Sequence, residues 1–372
     1  MPQPRKKIII SGGGTGGHIF PAVAIADALK RRLDDADILF IGAKGRMEME
    51  KVPAAGYPIK GLWISGIQRR LTLRNLSFPF KLISSILKAR KIMKSFKPDV
   101  AIGTGGYASG PMLRVASRRG IPSLIQEQNS FPGITNRLLS KTVDRICVAF
   151  EGMDKYFPAT KITITGNPVR KDIIEKEGKQ GEAMKFFGLK EGIKTILIIG
   201  GSQGARSVNR AMGSQLQEII KNDVQLIWQC GQAFLPTATD ILDLLDPSLK
   251  EKVKVHDFIY RMDLAYAAAD VVVSRAGAIA ISELCIVGHP LILVPLPSAA
   301  EDHQTKNALA LAEKEAAILL PDGELDKKLA STLNTLIADE GKQATMKENI
   351  HRFARPDATE KIADEVIKLL ER

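Results

Sequence analysis

Short, wholly apolar runs alternate with longer stretches of helical periodicity along this chain. KKIIISGGG (6–14), ADILFIGAKG (36–45), PDVAIGTGG (98–106), IPSLIQEQN (121–129) and DRICVAFEG (144–152) read as five buried strands. KTILIIGGSQG (194–204), VQLIWQCG (224–231), VKVHDFI (253–259), ADVVVSRAG (269–277) and HPLILVPLP (289–297) repeat the pattern in the second half. Strands apolar on both faces, separated by helices, predict parallel sheets covered on both sides. The expected architecture is α/β, with two doubly wound Rossmann-like domains facing across a cleft.

ITGNPVRKDI (164–173) carries Gly166 and Pro168 between the halves and marks the expected boundary, giving domains 1–165 and 166–344. From Asp339 onward the chain is charged and helical, broken near Arg355 and Pro356. An amphipathic helix is expected from Asp357, with Ile362, Val366, Ile367 and Leu370 on one face.

The 372 residues carry a formal charge of +12, and its placement matters more than its size. Residues 51–98 hold eleven Lys and Arg and no Asp or Glu, while the rest of the chain has 42 basic and 41 acidic residues. Trp63, Ile67, Leu71, Leu73, Leu76, Phe78 and Phe80 are interspersed with that charge. The mixture suits a surface that meets anionic lipid, against the alternatives of a merely solvated basic face or a nucleic-acid site. Nucleic acid is the least supported, because no helix-turn-helix, zinc-finger or RNA-binding motif accompanies the charge. Neither an export signal nor a membrane-spanning run is recognised, and the three isolated cysteines give no disulfide framework or zinc site. A reducing cytoplasm is the expected setting.

The glycine-rich turns fall at the carboxyl ends of the strands, the edge where doubly wound sheets bind ligands. GGGTGGH satisfies G-x-G-x-x-G at Gly12, Gly14 and Gly17, yet the second strand ends in Gly42 and Ala43 where a dinucleotide site wants an acid. A Walker A loop fails too, since no Gly-Lys-Ser or Gly-Lys-Thr closes the turn. What survives is close backbone approach to an anionic group at a helix N-terminus, or a plain packing turn. GGSQGARSVN repeats the arrangement with Ser202. SRAGAIAISE sets Ala278 at a helix start and Glu283 about a turn further in, where a carboxylate can accept ribose hydroxyls or merely face solvent. Glu301, Asp302, His303, Gln304 and Asn307 follow another strand. Asp35 and Asp37 have Asp-x-Asp spacing but precede their strand, so they read as turn residues.

SGGGTGGHIFPAVAIA, GTGGYASGP, QEQNSFPGITNRLL, GNPVR, GGSQGARSVN, SRAGAIAISE and EDHQTKNA, in this order, resemble the bacterial peptidoglycan transferases of glycosyltransferase family 28. The resemblance implies a GT-B fold and inverting transfer of N-acetylglucosamine from UDP-N-acetylglucosamine to the C4 hydroxyl of the lipid-linked muramyl pentapeptide, lipid I. It implies a final helix, about 345–372, that returns to the first domain, and a peripheral location on the cytoplasmic face of the plasma membrane through the basic segment 51–98. No metal or other cofactor is implied. On the donor side it points to Arg170 and Ser202 at the diphosphate or sugar, Ile259 at uracil, Glu283 at ribose, Ala278 and Ile279 as amide donors, and Gln304 and Asn307 at the sugar. On the acceptor side it points to Thr15, Gly16, Gly17, Tyr107, Ser109 and Asn129, with His18 and Glu127 as catalytic candidates.

His18 can act as base or bind the acceptor diphosphate, and it can also be a structural cap. Glu127 can orient the hydroxyl or hold loop amides. His303 stands where glutamine is frequent in the family, so it reads as a substitute hydrogen-bonding group. Rival readings are a related UDP-sugar transferase with another acceptor, an NAD-dependent enzyme, and a noncatalytic nucleotide-binding protein at the membrane.

Overall fold

A computed structural model describes residues 5–33, 35–66, 77–174, 178–201, 204–221 and 223–372. The chain divides into two units, Met1–Val169 with Arg355–Arg372, and Arg170–Ala354. GNPVR straddles the division, and the return to the first unit begins at Arg355.

The first unit is built on seven parallel strands: β1 (Lys7–Gly12), β2 (Asp37–Ala43), β3 (Ile59–Leu62), β4 (Val100–Gly105), β5 (Ser123–Glu127), β6 (Arg145–Val148) and β7 (Ile162–Ile164). Their order is β3-β2-β1-β4-β5-β6-β7. Helices α1 (Gly16–Arg32), α2 (Glu48–Ala54), α3 (Phe78–Phe96), α4 (Ser109–Arg118) and α5 (Ile134–Leu139) make the crossovers. The three isoleucines of β1 explain why this run is a central strand. Ile8 and Ile10 pack with α1 on one face, Ile9 packs with α3 and α4 on the other, and all three are fully buried. Each contributes roughly 1.5–3 kcal/mol of transfer free energy, available only to a strand covered on both sides.

The second unit repeats the plan with six parallel strands: β8 (Lys194–Ile199), β9 (Val224–Gln229), β10 (Val253–His256), β11 (Val271–Arg275), β12 (Leu291–Val294) and β13 (Ile318–Leu319). They lie in the order β10-β9-β8-β11-β12-β13. Helices α6 (Lys171–Ile174), α7 (Gln180–Phe187), α8 (Arg206–Ile220), α9 (Leu235–Asp243), α10 (Pro247–Lys250), α11 (Met262–Ala268), α12 (Ala278–Val287), α13 (His303–Ala312), α14 (Leu325–Ala338) and α15 (Glu340–His351) accompany them. The ten strands expected from the apolar runs all form. The additional β3, β7 and β13 are edge or near-edge strands of two to four residues, too short to show a periodicity.

The final helix, α16 (Ala358–Leu370), lies against α1. Its Ile362, Ala363, Val366 and Leu369 enter the same core as Ile8 and Ile25. Ile367 and Leu370, placed on its apolar face by the sequence, are partly buried beside that core. Arg31 and Arg32 close the outer edge with Glu360 and Asp364, at 2.8 Å for Arg31–Glu360 and 2.6 Å for Arg32–Asp364.

In both sheets the strand order reverses direction at one place, between β1 and β4 in the first unit and between β8 and β11 in the second. Crevices at such switch points, beyond the carboxyl ends of the strands, are where open α/β sheets take their ligands.

Candidate functional site

In the first unit the switch point is formed by the turns after β1 and β4, with the turn after β5 beside them. The glycines there permit one backbone to lie on another. Gly106 has a φ of +83°, and a side chain on it would run into the main chain of Gly13. Gly105, φ +101°, lies under the His18 ring, where an added Cβ would stand 2.7 Å from Cε1 and Nδ1. Thr104 Oγ1 donates to the His18 carbonyl at 2.9 Å, and His18 Nδ1 meets Gln128 Oε1 at 3.0 Å. His18 is thus held half-buried at the head of α1, touching three successive turns.

Thr15 occupies the N-cap of α1 with an extended backbone and an exposed side chain, and Gly16 and Gly17 open the helix. No acidic residue lies in the first turn, and Lys30, Arg31 and Arg32 fill the last. This distribution leaves the amino end of α1 suited to an anion. Tyr107 is exposed, with its phenol end against Gly66.

Other residues singled out in the sequence face inward. Ser109 is fully buried, and its hydroxyl donates to the carbonyls of Ser11 at 2.6 Å and Gly105 at 2.9 Å. It therefore braces β1 against the turn after β4. Glu127 is buried, and its two carboxylate oxygens accept from Asn129 N and Nδ2 at 3.0 and 3.2 Å, Gly133 N at 3.2 Å and Asn136 Nδ2 at 2.9 Å. Burial pushes its pKa up while these four donors work against that shift. The loop-holding alternative for Glu127 is what this geometry describes, and Asn129 is part of the same knot.

Two residues of this unit were missed in the sequence. Glu48, fully buried at the start of α2, accepts from Gly14 N and Ala43 N, both at 2.9 Å. Gly13 and Gly42 lack side chains where this carboxyl packs. The acid near the end of the second strand is therefore present but spent on the glycine turn. Gln128 sits in QEQN with no chemistry that its sequence context signals, and only the long-range contact with His18 reveals a role.

In the second unit the turn after β8 carries Gly201 and Gly204, each with positive φ; Ser202 lies outside the described residues. A side chain on Gly204 would strike the Cys230 carbonyl, so the turn lies directly on the end of β9. Gln229, at that end, donates from Nε2 to Gly201 O and accepts from Ile259 N, both at 3.0 Å. It couples the glycine turn to the segment carrying Ile259, and nothing in the sequence pattern singled it out.

After β11, Gly277 caps α12 in extended conformation, and Ala278 and Ile279 begin the helix with no acidic residue in its first turn. Glu283 follows, with Tyr266 Oη donating to its Oε2 at 3.4 Å. Burial raises the Glu283 pKa to about 7, opposed by the positive charge of Arg170 and the Tyr266 hydrogen bond. Arg170 makes a two-pronged pair with Asp172, at 3.1 and 2.7 Å. Beyond β12, Gln304 Oε1 accepts from Leu296 N at 2.9 Å, and the fully buried Asn307 directs Nδ2 to Ala276 O at 3.4 Å. Asn307 thereby ties α13 to the residue before Gly277. Glu301 and Asp302, with φ of 52° and 56°, form a strained approach to His303 at the head of α13.

Asp35 and Asp37 stand at the amino end of β2, away from these turns. Among the described residues no group of three or more His, Cys, Asp or Glu could hold a metal ion.

The glycosyltransferase family 28 N-terminal domain matches residues 8–148, and the family 28 C-terminal domain matches residues 195–362. The chain belongs to glycosyltransferase family 28. Family 28 relatives include the UDP-N-acetylglucosamine–N-acetylmuramyl-(pentapeptide) pyrophosphoryl-undecaprenol N-acetylglucosamine transferases of Flavobacterium psychrophilum and Cytophaga hutchinsonii. The first is 53% identical over 365 residues, covering 98% of each chain. The second is 53% identical over 371 residues, covering 100% of this chain and 99% of its own. Acinetobacter baumannii MurG, solved as a crystal structure, superposes with a TM-score of 0.79 at 29% identity, over 98% of this chain and 100% of its own. This family 28 chain thus has the GT-B fold of two Rossmann-like units, with a glycine-lined switch point in each.

Proposed function

We propose that this enzyme transfers N-acetylglucosamine from UDP-N-acetylglucosamine to the C4 hydroxyl of the muramyl pentapeptide of undecaprenyl-pyrophosphate lipid I, giving lipid II with inversion at the anomeric carbon. The observation that carries this reading is full-length similarity, above half identity, to transferases named for that reaction.

The residues divide the work by unit. In the second, Glu283 accepts the ribose hydroxyls, the Ile259 carbonyl reads the base while its amide is held by Gln229, and the amides of Ala278 and Ile279 face the diphosphate. Ser202 belongs to this set by motif. Arg170 exchanges Asp172 for the departing phosphate, and Gln304 and Asn307 shape the sugar end. In the first, the amino end of α1 at Thr15, Gly16 and Gly17 takes the acceptor diphosphate, and Tyr107 borders it. Ser109, Glu127 and Asn129 hold the turns in place.

The hydroxyl oxygen attacks the anomeric carbon as the bond from that carbon to the UDP oxygen breaks. His18 takes the hydroxyl proton, and the bonding electron pair leaves with UDP. The leaving charge is met by helix amides and Arg170, so no protein nucleophile enters the path.

The acceptor's polyprenyl chain brings the reaction to an anionic membrane surface on the cytoplasmic side. Supporting this, α3 exposes Phe80, Ile83 and Leu87 at helical spacing, and Trp63 is half exposed with Lys81 Nζ 5.9 Å from its ring centre. Residues 67–76, including Arg69, Arg70 and Arg74, lie outside the described residues. The attachment proposed through this face is peripheral; no described helix is long and apolar enough to cross a membrane.

The test is transfer of labelled sugar from UDP-N-acetylglucosamine to lipid-linked muramyl pentapeptide, with UDP-glucose as control donor and His18→Ala in parallel. Robust transfer by the wild type that collapses in the variant, with UDP affinity retained, is expected. A folded wild type that transfers nothing to a competent acceptor overturns the proposal.

A further inference from the structure

The bond between His18 Nδ1 and Gln128 Oε1 spans 110 residues of sequence. Which nitrogen of the ring carries the proton is decided on the far side of Gln128. Its Nε2 lies 2.8 Å from the Thr104 carbonyl and 3.3 Å from the Gln126 carbonyl. Carbonyl oxygens only accept, so the nitrogen end of this amide must face them; the flipped amide would set oxygen against two oxygens. Oε1 is thereby turned to His18, and it too only accepts. Nδ1 must hold a hydrogen, and the neutral ring keeps its lone pair on Nε2.

Gln128 is not at liberty to rearrange. It is 2% exposed, and its main-chain carbonyl accepts from Asn167 Nδ2 at 3.0 Å. Asn167 Oδ1 in turn accepts from Gln126 Nε2 at 2.8 Å. Thr104 grips the His18 backbone and the Gln128 side chain together.

We infer that Gln128 is a positioning residue that selects the Nδ1–H form of His18 and so makes Nε2 the atom that removes the acceptor proton. The catalytic half of this inference rests on His18 acting as the base. The choice of an amide matters, because a carboxylate at the same place would stabilise the imidazolium and delay its loss of a proton. Among the described residues, the titratable groups on the turns after β1, β4 and β5 and at the head of α2 include Tyr107, which is exposed, Glu48, turned onto Gly14 and Ala43, and Glu127, turned onto residues 129–136.

Two measurements test it. In protein labelled with ¹⁵N-histidine, long-range ¹H–¹⁵N spectra at pH 8, assigned by the signal missing in His18→Ala, should show a protonated Nδ1 and an unprotonated Nε2. The opposite tautomer overturns the inference, and this reading needs no variant at position 128 to fold. Gln128→Glu should move the rising limb of the kcat/KM–pH profile up by about one unit or more while UDP affinity is unchanged. Most of the lost rate should return by pH 9. A limb that stays in place overturns the positioning role. If His18→Ala kept full transfer, the base assignment would fall while the tautomer, read separately by NMR, could still stand.

Discussion

Glu48 holds Gly14 through a 2.9 Å hydrogen bond from the Gly14 amide to Oε2, while its other oxygen holds Ala43. A fully buried carboxylate at the start of α2 thus fixes the glycine turn that leads to His18. Glu48→Ala leaves the buried Ala43 amide without an acceptor and gives up the Gly14 amide to solvent. At about 1–3 kcal/mol for a buried unsatisfied group, the first unit should lose at least that much stability. Denaturant unfolding measures the loss, and a change below about 0.5 kcal/mol would mean the turn holds itself.

Gly105 is permitted under the His18 ring because it has no Cβ. Gly105→Ala adds a methyl 2.7 Å from the imidazole on a backbone with φ of +101°. Displacing a reacting group by about an ångström costs on the order of 10²-fold in rate. The expected result is a kcat lowered by about that factor with UDP affinity, measured by calorimetry, unaltered. Equal losses in both would place the damage in general folding.

Donor binding should depend on pH through Glu283. Its carboxyl titrates near 7 in the free protein because burial disfavours the charged form. If the carboxylate accepts ribose hydroxyls, the ionised form binds better, and UDP affinity falls as pH drops through 7, by about tenfold between pH 8 and pH 6. Glu283→Gln should bind UDP more weakly at pH 8 and show a flat profile. The linked stability has the opposite sense. A carboxyl with a raised folded pKa binds more protons folded than unfolded, so its contribution falls as pH rises from the unfolded value through 7.

The exposed face of α3 gives a membrane prediction that does not depend on residues 67–76. Phe80→Asp and Leu87→Asp together should reduce flotation with vesicles containing anionic lipid by at least tenfold and leave transfer to a detergent-dispersed acceptor intact. Undiminished flotation would move the docking surface elsewhere.

The terminal helix tests the make-up of the first unit. Ile362 is fully buried in the same core as Ile25, and Ile362→Ala should cost about 2–5 kcal/mol. Hydrogen exchange should quicken in β1 and α1 and remain unchanged in β8.

The strands were legible because β1, β8 and β11 bury every residue of an isoleucine or valine run, which no surface segment can imitate. β3, β7 and β13 were not, since two to four residues at or near a sheet margin carry no period. The turns of the site showed themselves through glycine clusters, whereas what braces them did not. Glu48 in EMEK reads as a solvated helix face, and Gln229 in VQLIWQCG reads as the end of a strand. Their meaning comes from amides 34 and 30 residues away in sequence. Ser109 and Asn307 illustrate the converse: motifs made them visible, but the fold turns both inward, where they secure the backbone of the switch points.

The last helix belongs to the first core, and this constrains how the protein is made. As the chain leaves the ribosome, residues 170–354 can complete their own unit in order of synthesis. The earlier unit cannot, because the apolar face of α1 awaits Ile362, Val366 and Leu369, which follow the whole of the second unit in sequence. The half synthesised first is therefore finished last. Until those residues emerge it presents an uncovered isoleucine surface that nascent-chain chaperones would recognise, and a chain stopped before Arg355 would carry a complete second unit attached to an unfinished first.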